Sequence, residues 1–267
     1  MGSMAWIDGP LPRQGALAAW AAEVSKVCAV AAIFTPREGA LHLCRWDEGL
    51  LVDALRALQA QGLQTRLTVW ATSNPAKWAE QEAWLGRVLE MCAVGGVEQP
   101  WLDLDAESSW KGQQTLESIE RFVAKRKLKV SANYIPSLRL SSHITALLTS
   151  PWVDELIPQA YSQHNPSAAW TRDELIRPRV FQRHAIGQLQ VIQSKRAQGA
   201  SVRCGLMAAF QQHPDPHPQG LAALDAALDE ARKLGVPEVA LWSYKHLANP
   251  KRPDVTRWAA GLKGGLG

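Results

Sequence analysis

The chain has 267 residues, a net charge of +4, 46% hydrophobic and 20% charged residues. That is the make-up of a soluble globular protein long enough for one large domain. Its basic residues are dispersed, the densest run being Ala124-Lys-Arg-Lys-Leu-Lys129 at a helix end, so no nucleic-acid partner is expected. No apolar run is long enough to span a bilayer, and no basic segment followed by an apolar one marks a signal peptide.

Residues 1–4 (Met-Gly-Ser-Met) read as a cloning scar, and residues 5–267 as a single domain. Residues 5–9 form a short strand, followed by an Ala-rich amphipathic helix over 11–27. The continuous apolar run 28–34 reads as a buried strand. Asp47 caps a helix that Gly62 stops. Residues 64–72 alternate as a strand, and Ser73-Asn-Pro75 opens the next helix with Pro in its first turn. The stretch Gln99-Pro-Trp-Leu-Asp-Leu-Asp-Ala-Glu107 follows as a fourth strand. A helix over 110–126, a strand over 129–134 and a short helix over 138–148 come next. Residues 155–162 are a strand despite Pro158. Residues 171–197 are mostly helical, 201–210 a strand, 221–234 a helix, 238–244 the last strand and 254–262 the last helix.

Eight strands, each followed by a helical segment, predict a parallel sheet covered by helices and closed into a (β/α)8 TIM barrel. An open doubly wound sheet is the alternative, but no GxGxxG or P-loop follows the first strand. Cys28, Cys44, Cys92 and Cys204 show no CxxC and no metal spacing, so they are expected to be small buried thiols. No metal and no cofactor is expected. Of the 12 Trp residues, Trp20, Trp78, Trp84 and Trp258 lie in helical patterns and are assigned to packing.

Barrel enzymes carry their chemistry at the C-terminal ends of the strands. Those ends offer Asp8, Trp70, Thr72, Asp103, Asp105, Glu107, Asn133, Tyr134, Gln159, Tyr161, Met207, Phe210, Trp242 and Tyr244. Carboxylates, amides, phenols and indoles suit a carbohydrate better than a phosphate, because no Arg or Lys joins them before Lys245. The fourth strand is the centre of the pattern. Period-two alternation sends Trp101, Asp103, Asp105 and Glu107 to one face and Leu102, Leu104 and Ala106 to the other. Stacked carboxylates repel and raise one another's pKa, which serves a site that needs a protonated acid beside an anion. Other roles stay open at this point. Asp103 reads equally as a buried structural carboxylate bonded to backbone or Ser131, Asp8 as a cap of the first helix, and Trp242 as barrel packing.

Asp103-x-Asp105-x-Glu107 resembles the end of the DxxDxDxE signature of the family 18 chitinase-like glycoside hydrolases. It is also similar to the shorter DxE of the family 25 lysozymes. Gln159-Ala-Tyr161 is similar to the strand-six M/QxY element of the chitinase-like group, and Leu241-Trp242-Ser-Tyr244 to the strand-eight Trp element of both. Asp8 is similar to the first-strand Asp of the lysozymes. Pro100 stands where the chitinase signature has its first Asp, and Ser162 where chitinases commonly have an Asp.

The resemblance implies Glu107 as general acid and Asp105 as the group that orients a substrate 2-acetamido group for attack on the anomeric carbon. It implies Asp103 deeper, sharing a proton with Asp105, with Tyr161 bonding the acetamido group and Trp242 as the floor under the sugar. Asp8, Trp70, Asn133, Tyr134, Gln159, Trp242 and Tyr244 are expected to bind substrate. The expectation is a phage-type lysozyme cutting β-1,4 bonds of peptidoglycan, an N-acetylated polysaccharide. It acts as a monomer made in the cytoplasm without a leader, does not insert in membranes, and is released to the cell wall by another system. A chitinase, a non-catalytic glycan-binding barrel and a metal-dependent hydrolase are the alternatives.

Overall fold

The computed structural model describes residues 3–8, 10–35, 47–70, 74–106, 113–134, 142–159, 189–207, 238–248 and 253–263, with a few isolated positions between 225 and 251. Eight parallel strands close on themselves in chain order: β1 (Met4–Ile7), β2 (Val30–Phe34), β3 (Gln64–Trp70), β4 (Trp101–Ala106), β5 (Val130–Tyr134), β6 (Glu155–Pro158), β7 (Ser201–Met207) and β8 (Glu238–Trp242). The (β/α)8 barrel expected from the alternation is therefore the fold.

The described helices are α1 (Leu17–Val27), α2 (Glu48–Ala60), α3 (Pro75–Val94), α4 (Gln113–Arg126), α5 (Ser142–Thr149), α6 (Leu189–Ala197), the short α7 (Tyr244–Leu247) and α8 (Pro253–Lys263). Local signals place several ends where expected. The Asp47 side chain accepts from the Gly49 amide at 2.8 Å, and Asn74 accepts from the Ala76 and Lys77 amides ahead of Pro75. Gly62 ends α2 at a φ of +75°, a conformation L residues rarely adopt. Asp8 is not a helix cap: the caps before α1 are Arg13 and Ala16, and neither makes a side-chain capping bond. Ser3 and Met4 belong to the fold. Met4 pairs with Val30 and Ala240, and the Ser3 hydroxyl donates to the Val27 carbonyl at 3.2 Å.

Alternation sorts each strand's side chains between two cores. Leu102, Leu104 and Ala106 of β4, with Val130, Ala132 and Tyr134 of β5, pack outward with the helices in one large buried cluster. Met4, Trp6, Val30, Ala32, Ile157 and Ala240 form the apolar part of the barrel interior, with Phe34 and Trp242 against them. Trp78 and Trp84 are buried in the outer cluster, and Trp20 and Trp258 pack on its rim. Cys28, Cys92 and Cys204 are buried free thiols, and Cys44 lies outside the described residues.

The N-terminal end of the interior is closed by ions rather than by aliphatic side chains. Glu155 of β6 is paired with Arg66 of β3 and with Arg203 of β7 (3.2 Å), and it accepts from Ser201 (3.0 Å). Arg203 reaches Glu238 of β8 at 2.9 Å, and the Arg66 guanidinium lies 4.6 Å from the centre of the Trp101 ring. Burial alone would push the Glu155 carboxyl up. The Arg66 and Arg203 charges, with hydrogen bonds from Arg66 and Ser201, hold it below its ordinary value.

A carboxyl with a depressed folded pKa stabilises the fold above its unfolded pKa, and that contribution is lost as pH falls through the folded value. Glu155→Gln strands Arg66 without a carboxylate in a dry site. It should lower the unfolding free energy at neutral pH by about 3–5 kcal/mol. The deficit should shrink as pH falls, and urea denaturation at several pH values measures both. Equal stability of the two proteins at neutral pH would refute the network's role.

Candidate active site

The inward face of β4 carries Trp101, Asp103 and Asp105, as the alternation requires. Asp103 has no exposed surface. Its Oδ2 accepts from Trp6 Nε1 (2.9 Å), Thr68 Oγ1 (2.9 Å) and Asn133 Nδ2 (3.0 Å), and its Oδ1 accepts from Ser131 Oγ (2.7 Å). Thr68 and Ser131 are its register partners on β3 and β5. Trp6 is different, because β1 lies across the barrel from β4. Its indole spans the interior, and the neighbouring strands leave it room. β2 and β8 present Ala32 and Ala240 there, and a methyl built on Gly205 of β7 would come within 3.5 Å of the Trp6 ring.

Burial pushes the Asp103 carboxyl up. The Arg66 charge and the hydrogen bonds from Trp6, Ser131 and Thr68 work against that rise without cancelling it. Both oxygens accept from protein donors.

Asp105 sits one inward position above Asp103, in register with Trp70 and Asn133, and is buried. Gln159 Nε2 donates to Asp105 Oδ1 at 3.3 Å and to Asn133 Oδ1 at 2.6 Å. Gln159 follows β6 and forms a bridge to Gly205. A side chain at position 205 would meet the Gln159 Cα and the Pro158 carbonyl at 3.1 Å, so the glycine allows this close approach. Aromatic rings gather around Trp6, the indole that donates to Asp103. Trp242 of β8 packs its ring edge-on to Phe34 of β2 at 5.0 Å and tilted against Trp6 at 6.1 Å. Trp70, Phe34 and Trp242 end their strands and are partly exposed.

Among the expected site residues, the barrel brings Asp103, Asp105, Asn133, Gln159, Trp70 and Trp242 together. Asp8 follows β1 by one residue and is half-buried. Two expected sugar contacts are not at the site. Tyr134 is fully buried on the outward face of β5, because alternation puts its neighbour Asn133 inward. Tyr244 starts α7 after β8 has ended and packs on the helix-side cluster. Burial, with the Glu23 and Cys28 charges nearby, pushes its phenol up to about 12. Glu107, Tyr161, Thr72 and Phe210 lie outside the described residues. The sequence reading did not single out Trp6, Thr68 or Phe34. The signal for Trp6 was the alternation that also placed Asp8, since both share a strand face with Met4.

No family model and no curated protein matches the sequence. Solved structures share its fold. A GH113 β-1,4-mannanase is 7% identical with a TM-score of 0.61, over 98% of this chain and 97% of that one. The Bacillus cereus spore cortex-lytic enzyme SleL is 11% identical with a TM-score of 0.54, over 98% of this chain and 73% of that one. A mandelate racemase/muconate lactonizing enzyme from Roseiflexus sp. is 14% identical with a TM-score of 0.53 over 92% of this chain, which spans 56% of the racemase's length. Identities this low establish the barrel alone, and glycosidases and a racemase on one barrel mean that function has to be argued from side chains.

Asp103→Asn mimics the protonated acid, with the amide nitrogen facing Ser131. A carboxyl raised in the fold contributes stability below its unfolded pKa and loses it as pH rises toward the folded one. The variant should therefore gain stability relative to wild type as pH climbs above about 4. Parallel stability–pH curves from thermal melts would show instead that Asp103 is not raised.

Proposed function

We propose that the protein is a glycoside hydrolase acting on a polymer of N-acetylated, β-1,4-linked sugars, with bacterial peptidoglycan as the first choice. The observation that carries this reading is the inward face of β4. There a deep carboxylate is held by donors from three strands, one of them the Trp6 indole against which Trp242 packs, and a second, Asp105, sits above it on the same strand face. Glu107 follows Asp105 by two residues in sequence. In this reading it donates the proton to the glycosidic oxygen.

The carbonyl oxygen of the substrate's own acetamido group attacks the anomeric carbon as the leaving oxygen takes that proton. Water then opens the cyclic intermediate. Asp105 orients the acetamido group, and its negative charge favours the oxocarbenium-like centre. Tyr161 assists at the acetamido group, and Trp242 supplies the apolar platform on which the sugar stacks. Of the barrels with this fold, SleL is named as lytic for the spore cortex, and the GH113 enzyme as a β-1,4-mannanase. Support for the substrate class rests on the acidic strand and not on that likeness.

Purified peptidoglycan and chitin, each incubated with wild type and Glu107→Gln, test the reading through new reducing ends. Wild type should release them from peptidoglycan, and the amide variant should lose at least about a hundredfold in kcat. Release from chitin alone would move the assignment to a chitinase. No release from either by folded protein would overturn hydrolysis in favour of glycan binding. Trp242→Ala should raise KM, and unchanged kcat and KM would make Trp242 a packing residue only.

A further inference from the structure

We infer that Asn133 and Gln159 are positioning residues rather than sugar contacts. Their amides form a one-way relay that ties the orientation of the Asp105 carboxylate to the deep Asp103. The inference rests on the glycosidase reading of the acidic strand and adds to it an amide link between the two carboxylates.

The direction of the relay follows from its lower end. Asp103 Oδ2 also accepts from the indole N–H of Trp6, so it is an acceptor wherever Asp103 is ionised. Asn133 must therefore turn its NH2 toward that oxygen, at 3.0 Å, because a flipped amide would set acceptor against acceptor. Its carbonyl oxygen then points the other way and takes the Gln159 NH2 at 2.6 Å. The second hydrogen of that NH2 is left for Asp105 Oδ1, at 3.3 Å. Each amide orientation is dictated by the one below it, and the last member presents an N–H to the upper acid.

The charged and titratable groups around Asp105 can be named element by element among the described residues. Its own strand supplies Asp103, β3 supplies Arg66, β6 Glu155, β7 Arg203 and β8 Glu238, all deeper in the barrel, and Asp8 follows β1. The inward positions of β2 and β5 supply none. Losing a donated hydrogen bond disfavours the ionised carboxylate, so the Asp105 titration should move to higher pH.

Gln159→Met keeps the side-chain volume and removes the donor. On the polymer that wild type hydrolyses, kcat should fall about tenfold or more with KM within about twofold. The acidic limb of the kcat profile should move up by about one pH unit. Asn133→Ala, which releases Gln159 from its fixed orientation, should move the limb the same way, and the double variant should do no more than Gln159→Met alone. Asp-selective carbon-13 NMR, assigned with Asp105→Asn, follows the same titration without any turnover. A KM-only defect, an unmoved Asp105 titration, or strictly additive effects would each overturn the relay and return both amides to substrate binding. A moved titration in a protein that cleaves no glycan would leave the relay standing and refute the glycosidase reading instead.

Discussion

A carboxylate with no exposed surface is costly unless donors replace its water. Much of this barrel's interior is arranged to supply Asp103 with them. Two donors come from its register partners Thr68 and Ser131, which any parallel sheet would bring beside it. The other two require more of the fold. Asn133 has to be the inward residue at the end of β5, and Trp6 has to reach across the lumen. The second demand propagates to strands that never touch Asp103. Ala32, Ala240 and Gly205 are small where Trp6 needs space, and Gly205 in turn lets the backbone at Gln159 approach β7. One sealed acid thus accounts for residue sizes on several strands.

The two ends of the lumen divide the electrostatic work. At the N-terminal end Arg66 and Arg203 face Glu155 and Glu238, so opposite charges match in number and the layer is neutral as a unit. Above it Asp103 and Asp105 add negative charge with no cation at their own level among the described residues. Arg66 lies close enough to oppose the rise in the Asp103 carboxyl, yet its salt bridge is spent on Glu155. A neutral base beneath two carboxylates suits the proposed reaction, which gathers positive charge on a sugar carbon. It suits the binding of an anion poorly, which agrees with the lack of basic residues among the strand ends.

Period-two alternation made the barrel and the acidic face readable. Along Trp101–Ala106 it separated carboxylates from leucines correctly, and it offered Ser131 as a partner for Asp103. The same rule, applied less strictly, produced the two misplaced tyrosines. Asn133 and Tyr134 are consecutive, so only one of them can face inward, and β8 ends before Tyr244. What escaped the sequence was non-local. The Arg66–Glu155 and Arg203–Glu238 pairs depend on strand order and stagger, and Trp6 meets Asp103 at a separation of 97 residues. A buried arginine within an otherwise apolar strand is visible in sequence, but its partner is fixed only when the barrel closes.

The choice of groups around Asp103 also sets orientations above it, beyond holding the carboxylate in place. Hydroxyls on every side would leave the sense of each hydrogen bond open, because a hydroxyl both donates and accepts. Here the contacts on the route toward Asp105 are nitrogen-borne donors, and the hydroxyls lie on β3 and β5 beside the acid. What reaches Asp105 is geometry and polarisation, carried by amides whose orientations the buried acid dictates. The deep carboxylate is therefore the reference that orients the amides above it.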